Sequence, residues 1–346
     1  MRTDDLDFPL PPELIAQEPA PERAASRLLH YRRSDKQVDH RVFSDLPALL
    51  RAGDLLVFND ARVIPARFVL RKPTGGRIEG LFLAEPAPGV WRAMLRNLGR
   101  PSGPVELTFD GAPDVRAVVT SVVGDGEYEL TVGGVGPAVS FLQGVGRMPL
   151  PPYIRRGKDV DVRDAMDRER YQTVFAAAPT AVAAPTAALH FTPAVLAALE
   201  ARGIGRAFVT LDVGAGTFKP VSTDTLDAHR MHTETYTISA DTAAALNRAE
   251  REGRRIVAVG TTSARVLESQ AGETFEPRSG ATDIFIRPPY AWRHVGALVT
   301  NFHLPRSTLI ALVAALVGLD AQRRLYADAI ARQYRFFSYG DASFLE

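Results

Sequence analysis

The chain of 346 residues carries 41 basic and 40 acidic side chains, and its 46% of hydrophobic residues describe an ordinary globular protein of one large or two medium domains. It contains no cysteine, which excludes disulfides, thiolate nucleophiles and zinc–thiolate sites. The longest apolar run, Leu309 to Leu319, is too short to span a bilayer. The acidic, proline-broken N-terminus is unlike a signal peptide. We therefore expect a cytoplasmic protein without a membrane partner.

The first 60 residues predict two strands, a short helix and one buried strand. The strands are expected at Arg27–Arg33 and Gln37–Phe43, and Ser44 is placed to cap the helix that follows. Asp54 to Phe58 is an apolar run typical of a buried strand. It is followed directly by Asn59 and three further residues up to Arg62, at the end where open α/β sheets bind ligands.

Residues 63–146 change in character. Short apolar runs recur about every eight to twelve residues, separated by glycine-rich turns and without a convincing helix, which predicts a small β-barrel or sandwich. Between Arg62 and Arg100, the sequence contains eight basic residues and only two acidic ones. This segment is suited to contact phosphates, although a solvated surface would have the same composition.

From Arg147 onward, strands alternate with helices. Thr192 and Pro193 are placed to begin one helix, and Ser307 or Thr308 another. Further helices are expected at 159–176, 241–252, 264–269 and 320–333, and strands at 207–213, 255–259, 284–286 and 298–300. This alternation predicts an α/β fold with a three-layer, mostly parallel sheet formed by residues 1–62 and 147–346, into which 63–146 is inserted as a small all-β, barrel-like domain.

The stretch from Val209 to Tyr236 has the densest chemistry. A strand breaks at Gly214 and Gly216, and His229, His232 and Glu234 follow, which are groups that move protons. A plain turn and structural histidines are the alternatives. A metal held by these three side chains is not expected, because the spacing fits no zinc motif and cysteine is absent.

The first part of that stretch, LDVGAG, resembles the glycine turn of methyltransferases that use S-adenosylmethionine. Phe218 stands where the third glycine would be, and Pro220 prevents the required helix. The motif therefore gives only weak support for a methyltransferase.

Four other segments carry polar or aromatic groups at predicted element ends. Gly260 to Ser263 lies between a strand and a helix, where backbone N–H groups and hydroxyls suit a carboxylate or a phosphate, unless they only cap the helix. His190 lies just before a helix cap, and His303 follows the predicted strand 298–300. Both are expected at the sheet edge, and each is either a ligand-facing or a structural histidine. Aromatic residues between Tyr334 and Tyr339 either stack on RNA bases or close a core.

Taken together, these segments resemble the S-adenosylmethionine:tRNA ribosyltransferase-isomerase family of queuosine biosynthesis. The resemblance rests on an ordered set of stretches that spans nearly the whole chain: LLVFNDARVIPARF (55–68), GRIEGLFL (76–83), GRMPLPPYI (146–154), RYQTVFA (170–176), VAAPTAALHFT (182–192), VTLDVGAGTFKPV (209–221), HRMHTE (229–234), AVGTTSARVLES (258–269), TDIFI (282–286), VTNFHLPRSTL (299–309) and YRFFSYGDA (334–342).

The resemblance implies a reaction. S-adenosylmethionine would be a cosubstrate that donates its ribosyl moiety to 7-aminomethyl-7-deazaguanine at the wobble position of tRNA, giving epoxyqueuosine-tRNA, adenine and methionine. It also implies an α/β domain with a β-barrel insertion. The rival interpretations are an RNA methyltransferase and a non-catalytic RNA-binding protein. We favour a monomer that binds the anticodon stem-loop and needs no metal.

The reaction needs groups that take and deliver protons, and histidines and carboxylates are the available ones. The catalytic candidates are His190, His229, His232, Glu234 and His303. The candidates for binding the cosubstrate are Asp212, Gly214, Gly216, Phe218, Thr261, Thr262, Ser263 and Arg265. The candidates for binding RNA are Asn59, Arg62, Arg67, Arg96, Arg155, Arg156, Tyr334, Phe336 and Tyr339.

Overall fold

A computed structural model describes residues 1–99, 101, 103–124, 126–157, 162–214 and 221–346. The described strands are β1 (Arg27–Arg32), β2 (Gln37–Val42), β3 (Leu55–Asn59), β4 (Ala61–Val63), β5 (Arg67–Arg71), β6 (Arg77–Ala87), β7 (Val90–Arg96), β8 (Val105–Phe109), β9 (Ala112–Gly124), β10 (Glu127–Val132), β11 (Ala178–Ala181), β12 (Gly205–Leu211), β13 (Glu234–Ile238), β14 (Ile256–Val259), β15 (Arg278–Thr282), β16 (Ala297–Asn301) and β17 (Ala342–Leu345).

The α-helices are short, and 3-10 turns supplement them. They are α1 (Leu46–Leu49), α2 (Ala138–Val145), α3 (Asp164–Arg170), α4 (Pro193–Ala201), α5 (Ala240–Arg251), α6 (Thr261–Glu268), α7 (Thr308–Val317) and α8 (Leu319–Ala331). The 3-10 helices are Thr3–Leu6, Pro12–Leu14, Arg23–Ala25, Phe43–Asp45, Thr186–His190 and Leu226–Ala228. Within the described ranges, no helix is long and apolar enough to cross a membrane.

Nine strands form one sheet in the order β15-β13-β12-β3-β14-β16-β17-β1-β2. The four central strands β12, β3, β14 and β16 are parallel to one another, and β17 is parallel to β1. The other four junctions are antiparallel. The predicted α/β class is therefore confirmed, and the sheet is parallel at its centre but mixed at its flanks.

The sheet is buried on both faces, as its apolar central strands require. Every residue of β3, β14 and β16 is buried, which is typical of parallel strands covered on both sides. Helices α5 to α8 pack their apolar residues on one face. The other face is covered by α1, α4 and the aromatic side chains of Phe43, Phe58 and Phe191. These are the three layers that the sequence predicts.

A closed, antiparallel barrel is formed by β10-β7-β6-β5-β8-β9, within the predicted inserted domain. Trp91 is fully buried at its centre, with Phe68, Phe82 and Phe109 around it. The prediction that no helix occurs between 63 and 146 is wrong, because α2 lies against the barrel core with Leu142 buried. Eight residues with two glycines nearby give too weak a periodic signal to reveal this helix.

The chain enters and leaves the barrel at one place. The amide of Arg67 donates to the carbonyl of Arg147 (3.1 Å), and the amide of Arg147 donates back to Arg67 (2.7 Å). Gly146 is required beside this crossing, since a Cβ there would lie 1.9 Å from the carbonyl oxygen of Pro65. The two connecting segments are thus fastened to each other.

Most of the predicted helices are present, with capping residues as expected. Thr192 and Ser307 accept hydrogen bonds from the third residue of α4 and α7. The predicted strand at 284–286 is wrong: the strand in this region is β15, and Ile286 instead packs into the core. Helix α6 begins at Thr261 rather than at 264, which puts Arg265 in the second turn of the helix and not in the first.

Glu346 connects the amino-terminal ends of the strands through an ion-pair network. Its carboxylate accepts hydrogen bonds from His30 (2.9 Å), Arg51 (3.2 Å) and Arg255. Arg255 also makes two bonds to Asp54 (3.0 and 2.6 Å). Burial acts to raise the pKa of Glu346, but hydrogen bonds from His30 and Arg255 outweigh it and lower that pKa to about 2.

This network makes stability depend on acid. Because the folded pKa lies below the ordinary 4.5, the contribution is complete above pH 4.5 and is lost as pH falls towards 2. We expect Glu346→Gln to lower the free energy of unfolding by about 2 kcal/mol at pH 7. The free energy of unfolding of the variant should also fall less steeply than that of the parent between pH 4.5 and 2. Urea unfolding across pH measures this, with exposed Glu276→Gln as the control. A variant with the parent's pH profile would contradict it.

Candidate active site

A cleft opens at the carboxyl ends of the central parallel strands, where open α/β sheets bind ligands. It is lined by segments following β12, β14 and β16 and by three further segments of the chain. These residues are Tyr153, Ala183–Ala187, Val213, Gly260–Thr262, Thr300–Leu304, Ser307, Leu309, Phe337 and Ser338.

His303 is the histidine that lines this cleft. The hydroxyl of Thr300 shares a hydrogen bond with its Nε2 (2.9 Å), and its backbone amide donates to the hydroxyl of Tyr326 (3.1 Å). Its Nδ1 has no hydrogen-bond partner within the described ranges. Burial lowers the pKa of His303 to about 3, so the imidazole is neutral at physiological pH.

His190 is held more completely. The amide of Asn301 donates to its Nε2 (3.0 Å), so its Nδ1 carries the proton, which points to the hydroxyl of Ser26 (3.0 Å). The other side of Asn301 accepts a bond from Thr186 (2.8 Å). Burial lowers the pKa of His190 to about 4. Both of its nitrogens are occupied, which argues against the predicted proton transfer and favours orientation of Asn301.

The amino terminus of α6 faces the cleft through Thr261 and Thr262. Gly260 precedes it with a φ of 92°, and no side chain caps the helix. The hydroxyl oxygen of Thr262 is buried and has no partner in the described structure. Ser263, by contrast, is fully buried and donates to the carbonyl of Val259 (3.0 Å), away from the cleft. Of the predicted anion-binding hydroxyls, the structure brings these two threonines to the site.

Glu234 and Arg265 form a buried ion pair. Glu234 also accepts a hydrogen bond from the backbone amide of Gly214 (3.2 Å), the glycine that follows β12. Arg265 adds a bond to the carbonyl of Ile284 (3.4 Å), and its Nη2 has no partner in the described structure. The predicted contact of Arg265 with the cosubstrate is corrected: starting α6 at Thr261 puts Arg265 in the second turn, on Glu234.

Asp212 lies one residue after β12. One carboxylate oxygen accepts a bond from Thr235 (2.7 Å), and the other, Oδ1, is buried without a partner among the described atoms. Gly216 and Phe218, the other predicted contacts of this segment, lie outside the described residues.

His229 and His232 do not line the cleft. They precede β13, where His229 packs edge-on against Phe285 (5.5 Å between ring centroids) and His232 is exposed. Partial burial, with a further contribution from His232, lowers the pKa of His229. The structure thus places His190 and His303 near the end of β16. The other predicted catalytic residues, His229, His232 and Glu234, lie just before β13 or at its first residue.

Several predicted RNA contacts are contradicted by burial. Tyr334, Phe336 and Tyr339 are between 0% and 3% exposed, so their rings close a core instead of stacking on bases. Asn59 is fully buried, and its amide links β3 to β12 through Leu211. Arg156 makes two bonds to the buried Asp167 (2.7 and 2.9 Å), which also accepts from the hydroxyl of Tyr339 (2.9 Å).

The other predicted basic contacts are exposed. Arg62, Arg67, Arg96 and Arg155 all have solvent-accessible side chains. Partial burial lowers the pKa of Arg67; Glu79 opposes this effect, and Arg96 adds to it. These four arginines therefore remain available to a polyanion.

Three residues of the site were not predicted from the sequence: Asn301, Thr186 and Ser338. The signal for Asn301 was present, since it ends β16 two residues before His303. In the described ranges, no group of three or more His, Asp or Glu side chains is placed to hold a metal ion.

Comparison with known proteins resolves the identity of this arrangement. The family model described as "Queuosine biosynthesis protein" matches residues 3–345. The S-adenosylmethionine:tRNA ribosyltransferase-isomerase of Anaeromyxobacter sp. (strain Fw109-5) is 52% identical, covering 100% of this chain and 99% of that protein. The chain belongs to this family.

Other relatives agree. The protein of the same description from Acidiphilium cryptum (strain JF-5) is 50% identical over 100% of this chain and 99% of its own length. A crystal structure of S-adenosylmethionine tRNA ribosyltransferase from Thermotoga maritima is similar with a TM-score of 0.56 and 35% identity, covering 99% of this chain and 100% of that one. The comparisons thus support the same family over the whole chain, in agreement with the observed fold and its inserted barrel.

Proposed function

We propose that this protein transfers and isomerises the ribosyl moiety of S-adenosylmethionine onto 7-aminomethyl-7-deazaguanine at the tRNA wobble position. The products are epoxyqueuosine-tRNA, adenine and methionine. The observation that carries this proposal is the match of the whole chain to ribosyltransferase-isomerases at about half identity, together with a cleft at the ligand-binding edge of its sheet.

The residues of the cleft suit S-adenosylmethionine. The amino terminus of α6 presents backbone N–H groups and the unpartnered hydroxyl of Thr262, which suit the carboxylate of the methionine part. Val213, Phe302 and Leu304 give apolar surface for the nucleoside. Asp212 directly precedes the cleft residue Val213. Its carboxylate oxygen that has no partner in the described structure suits a ribose hydroxyl.

The reaction must move protons. A proton leaves the carbon beside the sulfonium, the aminomethyl group loses one before attack, and departing adenine gains one. We assign proton abstraction to His303, since its ring is neutral and its Nδ1 has no partner within the described structure. Glu234, held by Arg265, orients the turn at Gly214. His229 and His232 remain candidates for work near the tRNA.

Exposed arginines supply the RNA contacts. Arg62, Arg67, Arg96 and Arg155 are placed to follow the phosphates of the anticodon stem-loop. We expect a cytoplasmic monomer that works without a metal.

Product analysis tests the proposal. The protein is incubated with S-adenosylmethionine and tRNA carrying the aminomethyl-deazaguanine, and bases and nucleosides are separated. Free adenine, formed only with the modified tRNA, is the expected result. S-adenosylhomocysteine would instead establish a methyltransferase. Binding of tRNA without consumption of S-adenosylmethionine would favour a non-catalytic RNA-binding protein.

A further inference from the structure

A second, smaller pocket of about 260 Å³ lies beside the cleft. Ser338 lines both cavities, and His190, which contacts the cleft residue Asn301, lines the second one. Arg23 and Arg170 form part of its wall. The pocket is therefore next to the candidate active site but separate from it, and the roles assigned above do not use it.

The two arginines bring positive charge to this pocket. Arg23 donates to the carbonyls of Leu189 (3.0 Å) and Glu169 (2.9 Å), and Arg170 donates to those of Pro21 (3.1 Å) and Ala20 (2.6 Å). Within the described residues, neither guanidinium forms an ion pair with a carboxylate. Burial and the neighbouring Arg170 lower the pKa of Arg23, and the charge of Glu169 only partly opposes them. Neutral carbonyl oxygens orient these groups but leave both charges in place.

Further donors of these arginines remain unused. Each guanidinium has five N–H groups, and two nitrogens of each bind a carbonyl. The Nε of Arg170 is buried and has no partner among the described residues. The nearby carboxylate of Asp167 is occupied by Arg156 and Tyr339, so it does not neutralise the pair. Two oriented guanidinium groups with free donors suit an oxyanion, which they bind in a bidentate manner.

We infer that this pocket binds a phosphodiester of the tRNA adjacent to the nucleotide that enters the cleft. The inference rests on the function proposed above. A base inserted into the cleft carries a phosphate on each side, and the shared wall at Ser338 places the arginines within reach of one of them. The carboxylate of S-adenosylmethionine has its own site at α6, so the RNA backbone is the anion that this pocket fits.

The first test measures binding of an anticodon stem-loop RNA to the full-length protein at several KCl concentrations. We expect R23Q/R170Q to bind about tenfold more weakly at low salt. The slope of log affinity against log salt should shrink by about 0.7, the value for one phosphate of a single strand. R202Q is the matched control, because Arg202 is exposed after α4 and outside both pockets. R23K/R170K keeps both charges and is expected to keep the slope.

The second test identifies the phosphate. Neutral methylphosphonate linkages are placed singly along the loop of the RNA. One position flanking the wobble nucleotide should cost the parent protein about tenfold in affinity and cost R23Q/R170Q nothing. If that variant does not fold, R23K/R170K is compared instead and should lose less than the parent at the same linkage.

The outcomes separate the two proposals. If the parent and the glutamine variant have equal salt slopes and equal methylphosphonate profiles, the two arginines only hold the segment around Ala20 and Pro21 against α3. The pocket assignment is then overturned while the proposed function stands. If the parent binds no RNA, both are overturned.

Discussion

Replacing His303 with glutamine is expected to lower the rate of adenine release by about 10² to 10⁴-fold, the usual contribution of a general base. His303 lines the cleft, and its Nδ1 has no partner in the described structure. Glutamine retains a bond to Thr300 but cannot accept the proton. Affinity for tRNA should change little, since His303 is only 7% exposed and offers little surface to the RNA. Single-turnover adenine release and RNA binding measure the two effects separately.

His40→Gln is the matched control for this prediction. His40 lies on β2 at the far edge of the sheet, bonded to Tyr334 (2.8 Å). Its replacement should leave adenine release unchanged. Near-normal turnover of the His303 variant, combined with an inactive His190→Gln variant, would transfer the role of base to His190.

Replacing Arg265 with methionine is expected to lower the free energy of unfolding by about 3 to 5 kcal/mol. The change removes the guanidinium that pairs with the carboxylate of Glu234, which is buried at 6% exposure and also accepts a hydrogen bond from the amide of Gly214. An uncompensated buried charge carries a large desolvation cost, which the ion pair offsets. Unfolding in urea measures the loss.

The double variant Glu234→Gln, Arg265→Met tests the cause. Removing the charge as well as its partner should recover most of the lost stability, because no buried ion is left. A single Arg265 variant that costs less than about 1 kcal/mol would show that the pair is not desolvated as the structure indicates. Adenine release by the double variant should still fall, since the turn at Gly214 loses its charged anchor.

The centre of the fold follows directly from local sequence. The runs that form β3, β14 and β16 are apolar except at their carboxyl ends, as is typical of strands buried on both faces. Strands β13 and β17 were not predicted, because five and four residues carry little periodic signal and their places at the flanks depend on distant partners. The antiparallel flanks of the sheet escape prediction for the same reason.

The candidate site was predictable in position but not in roles. Polar residues after strand ends revealed His303 and the threonines of α6. Both hydrogen-bond partners of the His190 ring, Asn301 and Ser26, lie far from it in sequence, so its contacts could not be predicted. The aromatic residues near Tyr334 belong to an irregular segment, where no periodicity distinguishes a core from a binding surface.

The crossing of Arg67 and Arg147 bears on how the chain finds its fold. Residues 1–62 and 147–346 build one sheet, yet a long segment separates them, and closing a flexible loop of that length costs conformational entropy that grows with the logarithm of its length. Once the barrel has formed, its two ends are held side by side by their mutual hydrogen bonds. The barrel then acts as a short tether, so that β3 meets β12 and β14 as though the inserted residues were a tight turn.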